Sequence, residues 1–156
     1  MVVKIKIVDQ VTDLSLLLDI AVVSFHNDIA HDLESANNQT STKELYIGKA
    51  RYLINLLQRP KFIIAENNNG LIVGFATISN FTLNHLYSFS WLCVEPAWRN
   101  QGIGQLIVKA AGDYAKQQQS GLVLTTAIPT FFQPIGFEIS NEFKPGWFLM
   151  ATKVDL

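Results

Sequence analysis

A polar turn with two glycines separates an apolar stretch from a helical pattern within residues 94–111, VEPAWRNQGIGQLIVKAA. A helix that begins near Ile103 has backbone N–H groups without partners in its first turn and the positive end of its dipole there, which favours an anion. Gly102 and Gly104 lack the Cβ atoms that would keep an anion from the backbone, and Arg99 adds a cation beside it. These residue types at this spacing predict a phosphate site.

Two other glycine-rich phosphate loops are excluded by the residues that follow. A dinucleotide-binding fingerprint needs a third glycine where Ile107 stands, and an acidic residue about 20 positions later, which is missing. A P-loop needs Gly-Lys before Ser or Thr, whereas the sequence reads GIGQ. For the two glycines taken alone, an ordinary loop at the start of a helix stays open as an alternative.

The elements that position this turn can be predicted from the periodicity of apolar residues. Residues 3–7 alternate apolar and lysine side chains, which indicates a half-exposed edge strand. Two helices are predicted next, one after Asp13 and one from Thr42 towards Pro60. The remaining predicted elements are strands at 61–66, 70–79, 82–94, 121–126, 136–140 and 146–154, a helix from 103 to about 118, and a short segment at 128–134. The order β-α-α-β-β-β-α-β-α-β-β predicts an α/β (α+β) fold with one mixed, mostly antiparallel sheet of about seven strands flanked by helices.

The same periodicities predict which side chains are buried. In the helix, the expected core stripe is Ile103, Leu106, Ile107, Ala110, Ala111 and Tyr114. In the strand at 82–94, alternation places Tyr87, Phe89, Trp91 and Cys93 on one face and Leu86, Ser88, Ser90 and Leu92 on the other. Cys93 is interpreted as packing material rather than as a nucleophile.

Composition limits the function classes. The chain has 156 residues, 49% of them hydrophobic, so we expect a single domain spanning residues 1–156. Lys and Arg number 12 against 13 Asp and Glu, and the net charge of −1 predicts neither a nucleic-acid nor a membrane partner. A single cysteine excludes an internal disulfide and is typical of proteins of the reducing cytoplasm. We expect neither a signal peptide nor a membrane span.

Two motifs together point to a known family. VEPAWRNQGIGQLIV is similar to the acyl-coenzyme A signature of the GNAT superfamily of N-acyltransferases, in which a strand and Val-x-Pro precede Arg/Gln-x-x-Gly-x-Gly/Ala and a helix. LTTAIPTFFQPIGFEI resembles the second signature, a strand and a short helix with Phe-Tyr-x-x-x-Gly-Phe, and WFLMATKVDL resembles the closing strand. The resemblance covers nearly the whole chain and implies acetyl-CoA, or another acyl-CoA, as cofactor.

The resemblance also implies where this cofactor binds, in a V-shaped opening between the central strands. Backbone amides of the turn would hold the pyrophosphate, the backbone of Leu92 and Val94 would pair with pantetheine as an added strand, and two phenylalanines would line its apolar stem. The implied cofactor-binding residues are Leu92, Val94, Arg99, Asn100, Gln101, Gly102, Ile103, Gly104, Gln105, Phe131 and Phe132. Packing in the core is the alternative for the two phenylalanines.

The implied reaction is direct attack of a neutral primary amine on the thioester carbonyl in a ternary complex. Phe132 stands where relatives carry a tyrosine acid, and Ser88 and Ser90 stand where they often carry a Glu or His base. An ammonium with a pKa of about 10 must lose a proton. We therefore predict that Ser88 and Ser90 order water and that His26, or another polar residue of its loop, is the final base. Tyr87 is a spare candidate acid. A solvated loop is the alternative for the polar segment around His26, and no metal site is expected there.

Two function classes remain open. The first is an N-acetyltransferase that acts on a small-molecule amine, with a peptide or protein amine as second choice. The second is a catalytically weak acyl-CoA-binding module with a sensing or structural role, which the phenylalanine at position 132 favours. The edge at residues 3–7 or the terminal strands could pair subunits into a homodimer.

Overall fold

The computed structural model describes residues 2–9, 11, 16–17, 19–21, 60–81 and 86–152. The strands are β1 (Lys4–Val8), β2 (Lys61–Glu66), β3 (Ile72–Phe81), β4 (Leu86–Val94), β5 (Gly121–Thr126), β6 (Phe137–Lys144) and β7 (Trp147–Thr152). The helices are α1 (Ile103–Gln117) and α2 (Pro129–Phe132), with 3-10 turns at Pro96–Trp98 and Gln133–Ile135. Residues 16–17 and 19–21 are also helical. The helix predicted from Thr42 lies outside the described residues.

The seven strands form one mixed sheet in the order β1-β2-β3-β4-β5-β7-β6. Every neighbouring pair is antiparallel except β4 and β5, which are parallel. This sheet confirms the predicted fold, and β1 lies at its edge as the alternation at residues 3–7 indicated. Within the described part of the chain, no helix is long and apolar enough to cross a membrane.

Helix α1 packs on one face of the sheet. Its buried residues are Ile103, Ile107, Val108, Ala111 and Ala115. The predicted stripe is wrong at Leu106, whose side chain is 44% exposed. At 100° per residue, Leu106 lies roughly 130° around the helix axis from the centre of the buried face. A second cluster on the opposite face of the sheet contains Leu17, Ile20, Ala21, Phe62, Ile64, Phe75 and Cys93.

Strand β4 contains a β-bulge. Phe75 of β3 pairs with Cys93, and Thr77, two residues later, pairs with Ser90, so β4 has one extra residue between these pairs. Trp91 lies in this stretch and has a φ of 62°, in the left-handed region that residues other than glycine rarely adopt.

The bulge changes which face the side chains of β4 occupy. Tyr87 and Phe89 belong to the core beneath α1, whereas Trp91 and Cys93 belong to the cluster on the opposite face. Leu92 packs on the α1 side. The prediction that Tyr87, Phe89, Trp91 and Cys93 share a face, and that Leu92 lies opposite them, is therefore wrong. An inserted residue shifts the two-residue alternation by one, and nothing in the periodicity shows it.

The parallel pair β4 and β5 separates soon after it begins. The ladder joins Leu86 to Gly121 and ends with Ser88 opposite Val123. Beyond this point β5 continues beside β7 as far as Thr126. The remainder of β4 therefore has an edge that β5 does not cover, which is the V-shaped opening that the resemblance implied.

Candidate active site

A cavity of about 770 Å³ lies where the uncovered edge of β4 meets the start of α1. It is lined by Leu92, Cys93, Val94, Trp98, Arg99, Asn100, Gly102, Ile103, Gly104, Gln105, Ile128 and Phe131. The lining includes every residue predicted to bind the cofactor except Gln101 and Phe132. Sequence reasoning missed Cys93, Trp98 and Ile128, although Trp98 and Ile128 are apolar residues within the two quoted motifs.

The backbone of β4 turns towards this cavity at its last residues. The amide of Glu95 donates to the carbonyl oxygen of Val73 on β3, at 2.8 Å. Backbone groups alternate in direction along a strand, so those of Leu92 and Val94 point away from β3 and towards the opening. The carbonyl oxygen of Val94 accepts a hydrogen bond from Nε of Arg99, at 2.9 Å. Both backbone groups of Leu92 and the N–H of Val94 therefore face the cavity.

The start of α1 presents backbone N–H groups at the other side of the cavity. The first bond of the helix runs from the amide of Leu106 to the carbonyl oxygen of Gly102, at 3.1 Å. The amides of Ile103, Gly104 and Gln105 precede that bond and have no partner within the helix. The first turn contains no acidic residue that would compete for the positive end of the helix dipole. An anion would be stabilised here.

The two glycines of the turn have different structural roles. Gly102 has a φ of +82°, and a Cβ atom there would meet nothing within 4 Å. A Cβ atom at Gly104 would lie 3.3 Å from Cζ of Phe131, so this glycine lets the phenylalanine ring lie against the start of the helix. The sequence predicts that both glycines leave the backbone accessible to an anion. At Gly104 the space that a Cβ atom would occupy is instead next to the ring of Phe131.

Phe132 lies in the core on the α1 face of the sheet, among aromatic rings. Its side chain is 5% exposed and makes edge-on contacts with Phe89, Phe131 and Phe137, with ring centroids 6.5, 4.9 and 5.6 Å away. The structure thus shows core packing, the alternative left open by the sequence, for Phe132, whereas Phe131 lines the cavity.

The candidate proton-transfer residues are dispersed. Ser88 and Ser90 are half-buried beside the point where β4 and β5 separate, on the face opposite α1, and neither lines the cavity. His26 lies outside the described residues. Tyr87 contacts the ring of Tyr114 in the part of β4 that is still paired with β5. Burial raises the pKa of Tyr87, and Tyr114 raises it further.

The sequence matches the acetyltransferase (GNAT) domain family over residues 58–139, which is 82 of its 156 residues. The chain belongs to this family. A comparison with curated proteins finds no match.

Solved structures of acetyltransferases share the fold. N-acetylglutamate synthase from Neisseria gonorrhoeae, complexed with coenzyme A and N-acetyl-glutamate, superposes with a TM-score of 0.72 at 15% identity, over 100% of this chain and 36% of that one. A GNAT-family acetyltransferase from Staphylococcus aureus gives 0.66 at 17% identity, over 97% and 100%. PaiA N-acetyltransferase from Thermoplasma acidophilum, in complex with coenzyme A, gives 0.65 at 17% identity, over 96% and 99%.

Proposed function

We propose that this chain is an N-acetyltransferase that transfers an acetyl or other acyl group from acyl-CoA to the primary amine of a small molecule, in a ternary complex. The observation that carries this proposal is the separation of β4 from β5 after Ser88, beside the start of α1. An uncovered strand edge and a row of helix amides together suit a ligand that has an amide-containing arm and a diphosphate.

The residues around the cavity fit acyl-CoA. The backbone of Leu92 would pair with the pantetheine arm, and the amides of Ile103 to Gln105 would hold the diphosphate. Phe131 and Ile128 offer an apolar wall. When bound, acyl-CoA supplies a thioester that is activated towards amines. The relatives from Neisseria gonorrhoeae and Thermoplasma acidophilum hold coenzyme A, which supports this assignment.

The turn at residues 99–101 and the candidate proton-transfer residues also have roles in this proposal. Arg99, Asn100 and Gln101 belong to the turn that would surround the diphosphate, and the bond from Arg99 to the carbonyl of Val94 joins that turn to the end of β4. Ser88 and Ser90 would order the water that carries the proton of the amine, with His26 as the final base. A small acceptor agrees with the N-acetyl-glutamate bound by the Neisseria relative.

One observation favours a second candidate, an acyl-CoA-binding module with weak or no catalysis. Phe132 occupies the position of the usual tyrosine acid, and it is buried among phenylalanine rings with no proton to donate to a departing thiolate. If departure of the thiolate limits the reaction, Phe132→Tyr raises turnover.

Release of free CoA thiol from acetyl-CoA, measured across a panel of small amines and amino acids, tests the proposal. We expect amine-dependent release that saturates with one class of amine. Tight binding of CoA without release for any amine would support the module instead. Absence of binding would contradict both.

A further inference from the structure

Thr77 is fully buried on β3 and reaches across to the bulge of β4. Its side chain is 0% exposed, and Oγ1 donates a hydrogen bond to the carbonyl oxygen of Ser90, at 3.3 Å. Ser90 directly precedes Trp91, the residue with the left-handed φ of 62°. The hydroxyl therefore binds the backbone at the point where the conformation of β4 becomes irregular.

A second side chain binds the next carbonyl. Sγ of Cys93 donates to the carbonyl oxygen of Trp91, at 3.1 Å. The carbonyl oxygens of Ser90 and Trp91 are thus both held by side chains. A left-handed conformation at a bulky residue is unfavourable and persists only where surrounding contacts hold it. These two bonds are contacts of that kind.

The bulge decides which way the end of β4 faces. Thr77 pairs with Ser90, and the carbonyl oxygen of Ser90 points towards β3, because it accepts the hydrogen bond from Oγ1 of Thr77. In a regular strand, Leu92 and Val94 would share the direction of Ser90 and would also point towards β3. The inserted residue reverses this alternation, which directs the backbone groups of Leu92 and Val94 towards the cavity.

We infer that Thr77 is a positioning residue for acyl-CoA: its hydroxyl holds the bulge that presents the backbone of Leu92 and Val94 to the pantetheine arm. This inference rests on the proposed function, because it requires that acyl-CoA pairs with β4. It adds a residue that lies in neither sequence motif and does not line the cavity.

Calorimetric titration with CoA tests the inference in three variants. Thr77→Val removes the hydroxyl and keeps the shape, and we expect affinity to fall about tenfold. Thr77→Ser keeps the donor and is expected to retain wild-type affinity to within about twofold. The matched control is Thr152→Val, which removes a hydroxyl that accepts from the amide of Leu122, at 2.8 Å, away from the bulge. We expect it to bind CoA as the wild type does.

Backbone chemical shifts of Ser90 and Trp91, measured by NMR without CoA, provide a second readout. They should change in Thr77→Val and stay near wild-type values in Thr77→Ser and Thr152→Val. Unchanged shifts in Thr77→Val, or equal affinity of Thr77→Val and the wild type, would overturn the inference while leaving the proposed function intact. Failure of the wild type to bind CoA would instead refute the proposed function and this inference with it.

Discussion

Gly102 and Gly104 stand two residues apart, and each meets a different physical requirement. Gly102 adopts a φ of +82° directly before the helix. This conformation is energetically unfavourable for residues that have a Cβ atom. Gly104 has space on its open side for one edge of the Phe131 ring. A motif written as Gly-x-Gly therefore combines a backbone requirement with a packing requirement.

Gly102→Ala should lower the free energy of unfolding by about 1 kcal/mol, because alanine is strained at positive φ. Gly102→Asn should lose less, since asparagine tolerates the left-handed region better than other residues with a side chain. Urea denaturation followed by circular dichroism measures both. Equal losses for alanine and asparagine would show that the conformation of Gly102 is not what matters.

At the scale of the elements, the close approach of β3, β4 and α1 depends on Gly74. A Cβ atom at this position would lie 3.0 Å from the carbonyl oxygen of Cys93 and 3.2 Å from Cδ1 of Ile107. The first of these atoms belongs to the backbone and the second to the buried face of α1. The helix whose start forms the candidate site is therefore seated against the sheet at a point where no side chain fits.

Gly74→Ala is expected to destabilise the fold by about 2 kcal/mol through overpacking. The matched control is Gly112→Ala in the interior of α1, where a Cβ atom would meet nothing within 4 Å. This control should stabilise the protein by about 0.5 kcal/mol, because alanine is the better helix former. Unfolding midpoints in urea compare the two variants, and a Gly74→Ala protein as stable as the wild type would disprove the account of this contact.

Periodicity predicts the elements and misses their irregularities. The edge strand at residues 3–7, the meander from β2 to β4 and the start of α1 at Ile103 all follow from local patterns. The bulge does not, because left-handed residues are anticipated at glycine or asparagine and here the residue is Trp91. The turn at 99–105 could be predicted from its motif. The different roles of Phe131 and Phe132 could not, because the two residues are identical and adjacent and only tertiary packing distinguishes them.

At the scale of the whole molecule, one end of the described fold carries a cluster of ionisable groups. Lys61 of β2 pairs with Asp9, just after β1, and its Nζ lies 5.6 Å from the ring centroid of Tyr114. The hydrogen bond with Asp9 raises the pKa of Lys61, and burial raises the pKa of Tyr87, which packs edge-on against Tyr114. Both folded-state pKa values lie above their ordinary values of 10.5 and 10.0.

As pH rises, Lys61 and Tyr87 lose their protons in the unfolded chain before they lose them in the folded chain. Their contribution to the free energy of unfolding is therefore complete below their ordinary pKa values of 10.5 and 10.0, and it is lost as pH rises through the folded-state pKa values. We expect the free energy of unfolding to decline above pH 10.0, the ordinary pKa of the tyrosine. Tyr87→Phe should make this decline shallower, because phenylalanine has no proton to release. Urea titrations across the alkaline range measure it, and an equal slope in both proteins would rule out a contribution from Tyr87.

We propose that the amides at the start of α1 bind the diphosphate of acyl-CoA, and a negative charge placed beside them would oppose that binding. Gln105→Glu places a carboxylate in the first turn of the helix at nearly constant side-chain volume. The helix itself should be slightly stabilised, by about 0.5 kcal/mol, because a negative charge suits the positive end of its dipole. Gln117→Glu adds the same charge at the last residue of α1, roughly 20 Å away along the axis, and is the matched control.

Calorimetric titration of acetyl-CoA into the wild type and these two variants measures whether the first turn of α1 holds the diphosphate. We expect Gln105→Glu to weaken binding about tenfold at low ionic strength, with a difference that shrinks as salt is added, and Gln117→Glu to bind acetyl-CoA as the wild type does. Equal affinity of Gln105→Glu and Gln117→Glu, or no binding by the wild type, would rule out a diphosphate site at these amides.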